Sequence, residues 1–94
     1  MNINIKSKIF DVNKYALYKV NKDFKLDTSK GEYTMEKDDI LGIRRATSNK
    51  NKVRIIEKSN PNVVVSIDIK DLSKLSKYLK YQSNSKQDNI FEEI

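Results

Sequence analysis

The chain has 94 residues and a formal net charge of +6, and charged residues make up 34% of it. It contains neither cysteine nor histidine, which excludes disulfide bonds, zinc centres and catalysis that depends on imidazole or a thiolate. A chain of this length is expected to form one domain, and its apolar share of 37% leaves only a thin core.

Alternating apolar and polar residues predict short strands in the first part of the chain. These predicted strands are 2–9, 15–20, 24–26 and 33–35. The stretch 27–31 between two of them is predicted to be a turn, because Gly31 is free to adopt a positive φ. A second polar turn is predicted at 36–39.

Three short apolar runs lie between Gly31 and Leu72, separated by polar turns. This spacing predicts an antiparallel meander that curls to bury its apolar side. In the first two runs, Leu41 with Ile43 and Val53 with Ile55 are predicted to face the core. Turns are predicted at 48–51 and at 60–62, where Pro61 fixes φ, and 63–69 is the strongest alternating strand.

The apolar period changes after residue 69. Asp71 can cap a helix over about 71–81, with Leu72, Leu75 and Leu79 on one face. We interpret that face as a lid over the open end of a barrel formed by residues 1–82, with a docking helix for a partner as the alternative.

Residues 83–94 are predicted to be a flexible acidic tail. Their only basic residue is Lys86, whereas Asp88, Glu92 and Glu93 are acidic. Ile90 and Phe91 within it suggest a short docking motif that folds on a partner. The alternatives are a frayed terminus, or a Phe91 side chain that packs back on its own domain.

The order of residues resembles an SH3 or bacterial SH3-like domain over roughly 15–72. The matching segments are Ala16-Leu17-Tyr18, 32–41, 52–56 and 63–67. In that family an ALYDY-type strand precedes a diverging turn, two hairpin strands and a short closing element. The resemblance implies a mainly β fold, a small antiparallel barrel of about five strands with a C-terminal helix.

The resemblance also bears on the binding surface. The tryptophan of peptide-binding members is replaced here by Lys52 or Val53, and the closing proline and tyrosine are absent. An aromatic groove would have only Tyr18 and Tyr33 to form it, so we do not expect recognition of proline-rich peptides. Tyr18 and Tyr33, with Ile90 and Phe91 of the tail, remain candidate partner-binding residues.

The densest basic cluster lies along two predicted strands and their loop. Its members are Arg44, Arg45, Lys50, Lys52, Arg54 and Lys58. If 40–46 pairs with 52–58, alternation brings Arg44 and Arg54 onto one outer face, which could follow a phosphate backbone. The alternatives are a solvated face kept polar for solubility, and a surface that binds an acidic protein.

We therefore expect a non-enzymatic, cytoplasmic nucleic-acid-binding module. The alternative is a small interaction or inhibitor protein, of the kind that phages and mobile elements encode, which masks a larger partner. No metal or cofactor is expected, because the local acid pairs 38–39 and 68/71 do not resemble metal-binding loops. No membrane partner is expected either, since no run is long enough to cross a bilayer.

Overall fold

The computed structural model describes residues 10–28 and 30–94, which form a mainly β domain, as the sequence predicts. The strands are β1 (Ala16–Val20), β2 (Phe24–Thr28), β3 (Gly31–Met35), β4 (Ile40–Arg45), β5 (Lys52–Glu57), β6 (Asn60–Asp68) and β7 (Leu79–Tyr81). They form a five-stranded antiparallel sheet of order β6-β5-β4-β1-β7 and a separate β2–β3 hairpin. The predicted strand 2–9 lies outside the described residues.

The two sheets share one apolar core. The hairpin contributes Phe24, Leu26 and Met35, all of them buried. The large sheet contributes alternate residues of each strand. Among these are Tyr18, Leu41, Ile43, Val53, Ile55, Val65 and Ile67. The alternation predicted for β4 and β5 is therefore confirmed for these core residues. On the other face, Leu17, Gly42 and Ile56 lie side by side and are buried next to Phe10 and Tyr15, and charged side chains flank them.

The predicted turns are partly confirmed. Gly31 has φ +122° at the start of β3, and Asp38 has φ +75° in the turn that leads into β4. The turn predicted at 60–62 is wrong, because β6 begins at Asn60 and the chain reverses at 58–59. Pro61 is tolerated within β6 because it lies where the β5–β6 register shifts, so the missing N–H is not needed there.

The predicted helix over about 71–81 is also wrong. The only α-helix in the described part of the chain is α1 (Ile69–Ser73), with Asp71 inside it, and a 3-10 turn follows at Ser76–Tyr78. Residues 79–81 form β7, which pairs with the edge of β1. No helix in residues 10–28 and 30–94 is long and apolar enough to cross a membrane.

The prediction of a flexible tail over 83–94 does not hold either. A second 3-10 turn, Ile90–Glu92, packs Ile90 into the core, where it is 4% exposed. Phe91 lies partly buried against the same core. The alternative in which Phe91 packs back on its own domain is the correct one, because burial of these two side chains offsets the ordering cost of the segment.

Candidate functional site

The outer face of the five-stranded sheet carries two arginines directly opposite each other. In the β4–β5 ladder, Arg44 is the register partner of Arg54, as the alternation predicts. Side chains paired in this way on an antiparallel sheet have Cβ atoms about 5 Å apart, and like charges so placed repel. Within residues 10–28 and 30–94, neither guanidinium forms an ion pair with a carboxylate.

Tyr15 holds the Arg44 side chain in place. The Arg44 guanidinium carbon lies 5.4 Å from the centroid of the Tyr15 ring, and Tyr15 in turn stacks on Phe10 with ring centroids 5.8 Å apart. Arg44 Nε is buried and has no hydrogen-bond partner among the described residues. The cation–π contact therefore holds the guanidinium in place, and its Nη groups, which donate no hydrogen bond to a described residue, are the donors left for a ligand.

Lys52 and Lys50 extend this face toward the β4–β5 loop. Lys52 follows the same alternation as Arg54, and its Nζ lies 3.0 Å from Asp68 Oδ1 on β6. Lys50 is exposed in the loop. These residues lie at the end of the sheet where Arg44 and Arg54 face each other.

Two members of the predicted basic cluster lie elsewhere. Arg45 has the opposite alternation: its Nε is 3.7 Å from Glu93 Oε2, and its Nη1 donates to the Lys50 carbonyl at 3.4 Å. Lys58 lies past the far end of β5, where its N–H donates to the Ile40 carbonyl. The cluster predicted as one patch is therefore divided into three places.

The structure places two further lysines on the outer face that sequence reasoning missed as site residues. Lys19 on β1 is the register partner of Lys80 on β7, and Lys19 is also opposite Ile40 on β4, next to Lys58. Lys19 Nζ lies 3.5 Å from Asp38 Oδ1. The predicted helix over 71–81 hides this position of Lys80; the apolar–charged–aromatic alternation Leu79-Lys80-Tyr81 is the sequence signal for a strand there.

A group of acids marks the edge of this basic face near the 36–39 turn. Burial raises the pKa of Glu57 above its usual value; the Ser59 hydroxyl opposes this shift, and the Asp39 carboxyl and Glu36 add to it. No set of three or more acidic side chains within the described residues is arranged to hold a metal ion.

The four predicted partner-binding residues do not form an exposed surface. Tyr18 is 0% exposed, and its hydroxyl accepts a hydrogen bond from the Ile90 N–H at 2.8 Å and donates one to Asn89 Oδ1 at 3.1 Å. The Phe91 ring meets the Tyr18 ring edge-on, at 5.4 Å and 88°. Tyr33 lies apart on the β2–β3 hairpin, half-buried against the core. Three of the four residues therefore contact one another within the domain, and a partner-binding role for the four stays a prediction.

The Tyr18 hydroxyl gives a pH prediction. Burial raises the pKa of Tyr18 to about 12, from the ordinary tyrosine value of 10.0. Because the unfolded state then loses this proton first, the stability that Tyr18 contributes is fully present below about pH 10 and is lost as the pH rises through about 12. A titration of phenolate absorbance should show a late component that coincides with unfolding and disappears in Tyr18→Phe. Ionisation of all tyrosines near pH 10 in the folded protein would contradict this.

A pocket of about 220 Å³ lies between the strand ends and the C-terminal segment. Lys14, Arg44 and Arg45 supply positive charge to its lining, and Asp88 and Glu93 supply negative charge. No family model, curated protein or solved structure matches the chain. The function must therefore be inferred from the outer face, this pocket and their charges.

Proposed function

We propose that this chain is a non-enzymatic binding module that contacts the phosphate backbone of nucleic acid through the outer face of its five-stranded sheet. The observation that carries the proposal is the direct cross-strand pairing of Arg44 with Arg54. Two cations opposite each other destabilise a sheet, and an anion bound between them offsets that repulsion. A bound polyanion is thus expected to lower the free energy of this face of the sheet.

The chemistry of the two arginines suits phosphate. A guanidinium presents a planar set of donors that binds two phosphate oxygens at once, and its charge is retained at any physiological pH. Arg44 is held over Tyr15, so less side-chain freedom is lost when it binds. Lys50 and Lys52 at one end, with Lys19 and Lys80 at the other, would extend the same contact along the sheet.

The strand order supports an SH3-like architecture, which we propose as part of this function. β1 carries the ALYDY-like segment, and the turn before β4 stands where the resemblance places a diverging turn. The hairpin β5–β6 follows, and a 3-10 turn with β7 closes the sheet against β1. Small β-barrels can present a sheet face that binds the phosphates and bases of a nucleic-acid strand.

The test is direct binding with salt dependence. Labelled single- and double-stranded DNA and RNA are titrated with the full chain at about 50 mM and about 200 mM salt, where phosphate contacts lose affinity steeply. The double variant Arg44→Gln/Arg54→Gln should bind about tenfold more weakly at the lower salt. Its salt slope should fall by about two, one for each phosphate contact removed.

The matched control is Lys25→Gln/Lys30→Gln, which removes the same charge from the β2–β3 hairpin. The affinity of this control should fall by less than about twofold, because charges away from the contact are screened by salt and act weakly. Equal losses in the two double variants would show that only net charge matters. No binding by the unmodified chain at about 50 mM salt would contradict the proposal outright.

A further inference from the structure

The C-terminal segment 87–94 (called here the acidic strap) is attached to the domain by defined contacts. The Tyr81 hydroxyl donates to the Gln87 carbonyl at 2.6 Å, and Gln87 Nε2 donates to the Asn13 carbonyl at 2.7 Å. Tyr18 holds Ile90 through the hydrogen bond already described. The strap therefore has a fixed course over the β1 side of the domain.

This course brings a carboxylate to Arg45, which lies off the outer face but lines one pocket together with Arg44. Glu93 Oε2 lies 3.7 Å from Arg45 Nε. Glu93 and Asp88 also line the pocket of about 220 Å³, together with Arg44 and Lys14. Of the cations on this side, Arg45 is thus already neutralised from within the chain.

We propose that the acidic strap is an internal competitor of nucleic acid: Glu93 occupies Arg45, and a backbone phosphate must displace it to enter the pocket. This rests on the proposed function and deepens it by naming a regulation of the same site. The pair is exposed on both sides, with side-chain exposures of 40% and 49%, so its strength is low enough for a phosphate to replace it.

Competition of this kind lowers the observed affinity by the fraction of molecules in which Arg45 is free. Competition also reduces the contribution of Arg45 to the affinity for nucleic acid. Part of the energy of the Arg45–phosphate contact only replaces the Arg45–Glu93 contact that is lost. Removing Glu93 should therefore increase affinity and also increase the contribution of Arg45. Removal of a negative charge elsewhere would increase the affinity but would not change the contribution of Arg45.

The experiment is a double-mutant cycle on the full chain, with the labelled nucleic acid bound best by the unmodified protein. Glu93→Gln is compared with Glu92→Gln, which makes the same charge change at a neighbouring exposed residue that forms no ion pair with a described residue. At about 50 mM salt, Glu93→Gln should bind about two- to fivefold more tightly than Glu92→Gln. Arg45→Gln should weaken binding more in the Glu93→Gln background than in the unmodified chain. Arg54→Gln, which changes a residue that neither pairs with Glu93 nor lines the pocket, should weaken binding equally in both.

The outcomes separate the two proposals. Equal affinity of Glu93→Gln and Glu92→Gln, or an Arg45→Gln loss that is the same in both backgrounds, overturns the competition while leaving the proposed function intact. Absence of binding by every variant and by the unmodified chain overturns the proposed function, and the competition with it.

Discussion

Gly42→Val is expected to destabilise the domain by about 3 kcal/mol, although valine is a better strand former than glycine. Gly42 lies in β4, paired with Leu17 and Ile56. A Cβ at this position would lie 2.8 Å from Tyr15 Cβ, 2.9 Å from Phe10 Cζ and 3.0 Å from Ile56 Cγ2. Tyr15 Cβ is fixed close to the backbone, so the contact cannot be relieved by rotation of a side chain. Overpacking therefore outweighs the gain in strand propensity.

The measurement is chemical denaturation. The midpoint should move to a lower denaturant concentration, and the dependence of the unfolding free energy on denaturant should not change. Ser66→Val is the matched control: it makes a β-branched residue on the exposed outer face of β6, where only propensity acts. It should change the free energy of unfolding by less than about 0.5 kcal/mol. A Gly42→Val protein as stable as the unmodified chain would show that Tyr15 is free to move, and Arg44 with it.

The sequence predicts the central meander because alternate residues of its strands are apolar and enter the core. The alternation in β4 and β5 fixes which residues are in the core, and antiparallel pairing then places Arg44 opposite Arg54. What alternation cannot supply is the contact between Arg44 and Tyr15, since that depends on how the segment before β1 folds over Gly42. The absence of a side chain at Gly42 is the one local signal for it.

The predicted helix over 71–81 shows the limit of periodicity. Leu72, Leu75 and Leu79 are all buried, as the pattern requires, but they belong to a helix, a following turn and a strand. Three apolar residues spaced by three and four positions do not distinguish these structures. The deciding factor is the edge of β1, whose backbone groups pair with β7. Non-local pairing of this kind is not visible in a local pattern.

Ile90→Ala is expected to cost about 2–3 kcal/mol and to detach the acidic strap. Ile90 is 4% exposed and belongs to the main core cluster, so its truncation leaves a cavity next to Tyr18. The loss should appear in the free energy of unfolding. It should also appear as faster hydrogen exchange at the Ile90 amide, which donates to the Tyr18 hydroxyl only while the strap is docked.

Ile94→Ala is the control within the same segment, since Ile94 is 45% exposed. This substitution should lower the free energy of unfolding by less than about 0.5 kcal/mol. Equal effects of the two substitutions would mean that 83–94 is an independent tail, as its composition alone indicates. If Ile90→Ala alone detaches the strap, it should also separate Glu93 from Arg45. The anchoring of one isoleucine in the core then decides whether a carboxylate three residues further along the chain stays beside Arg45.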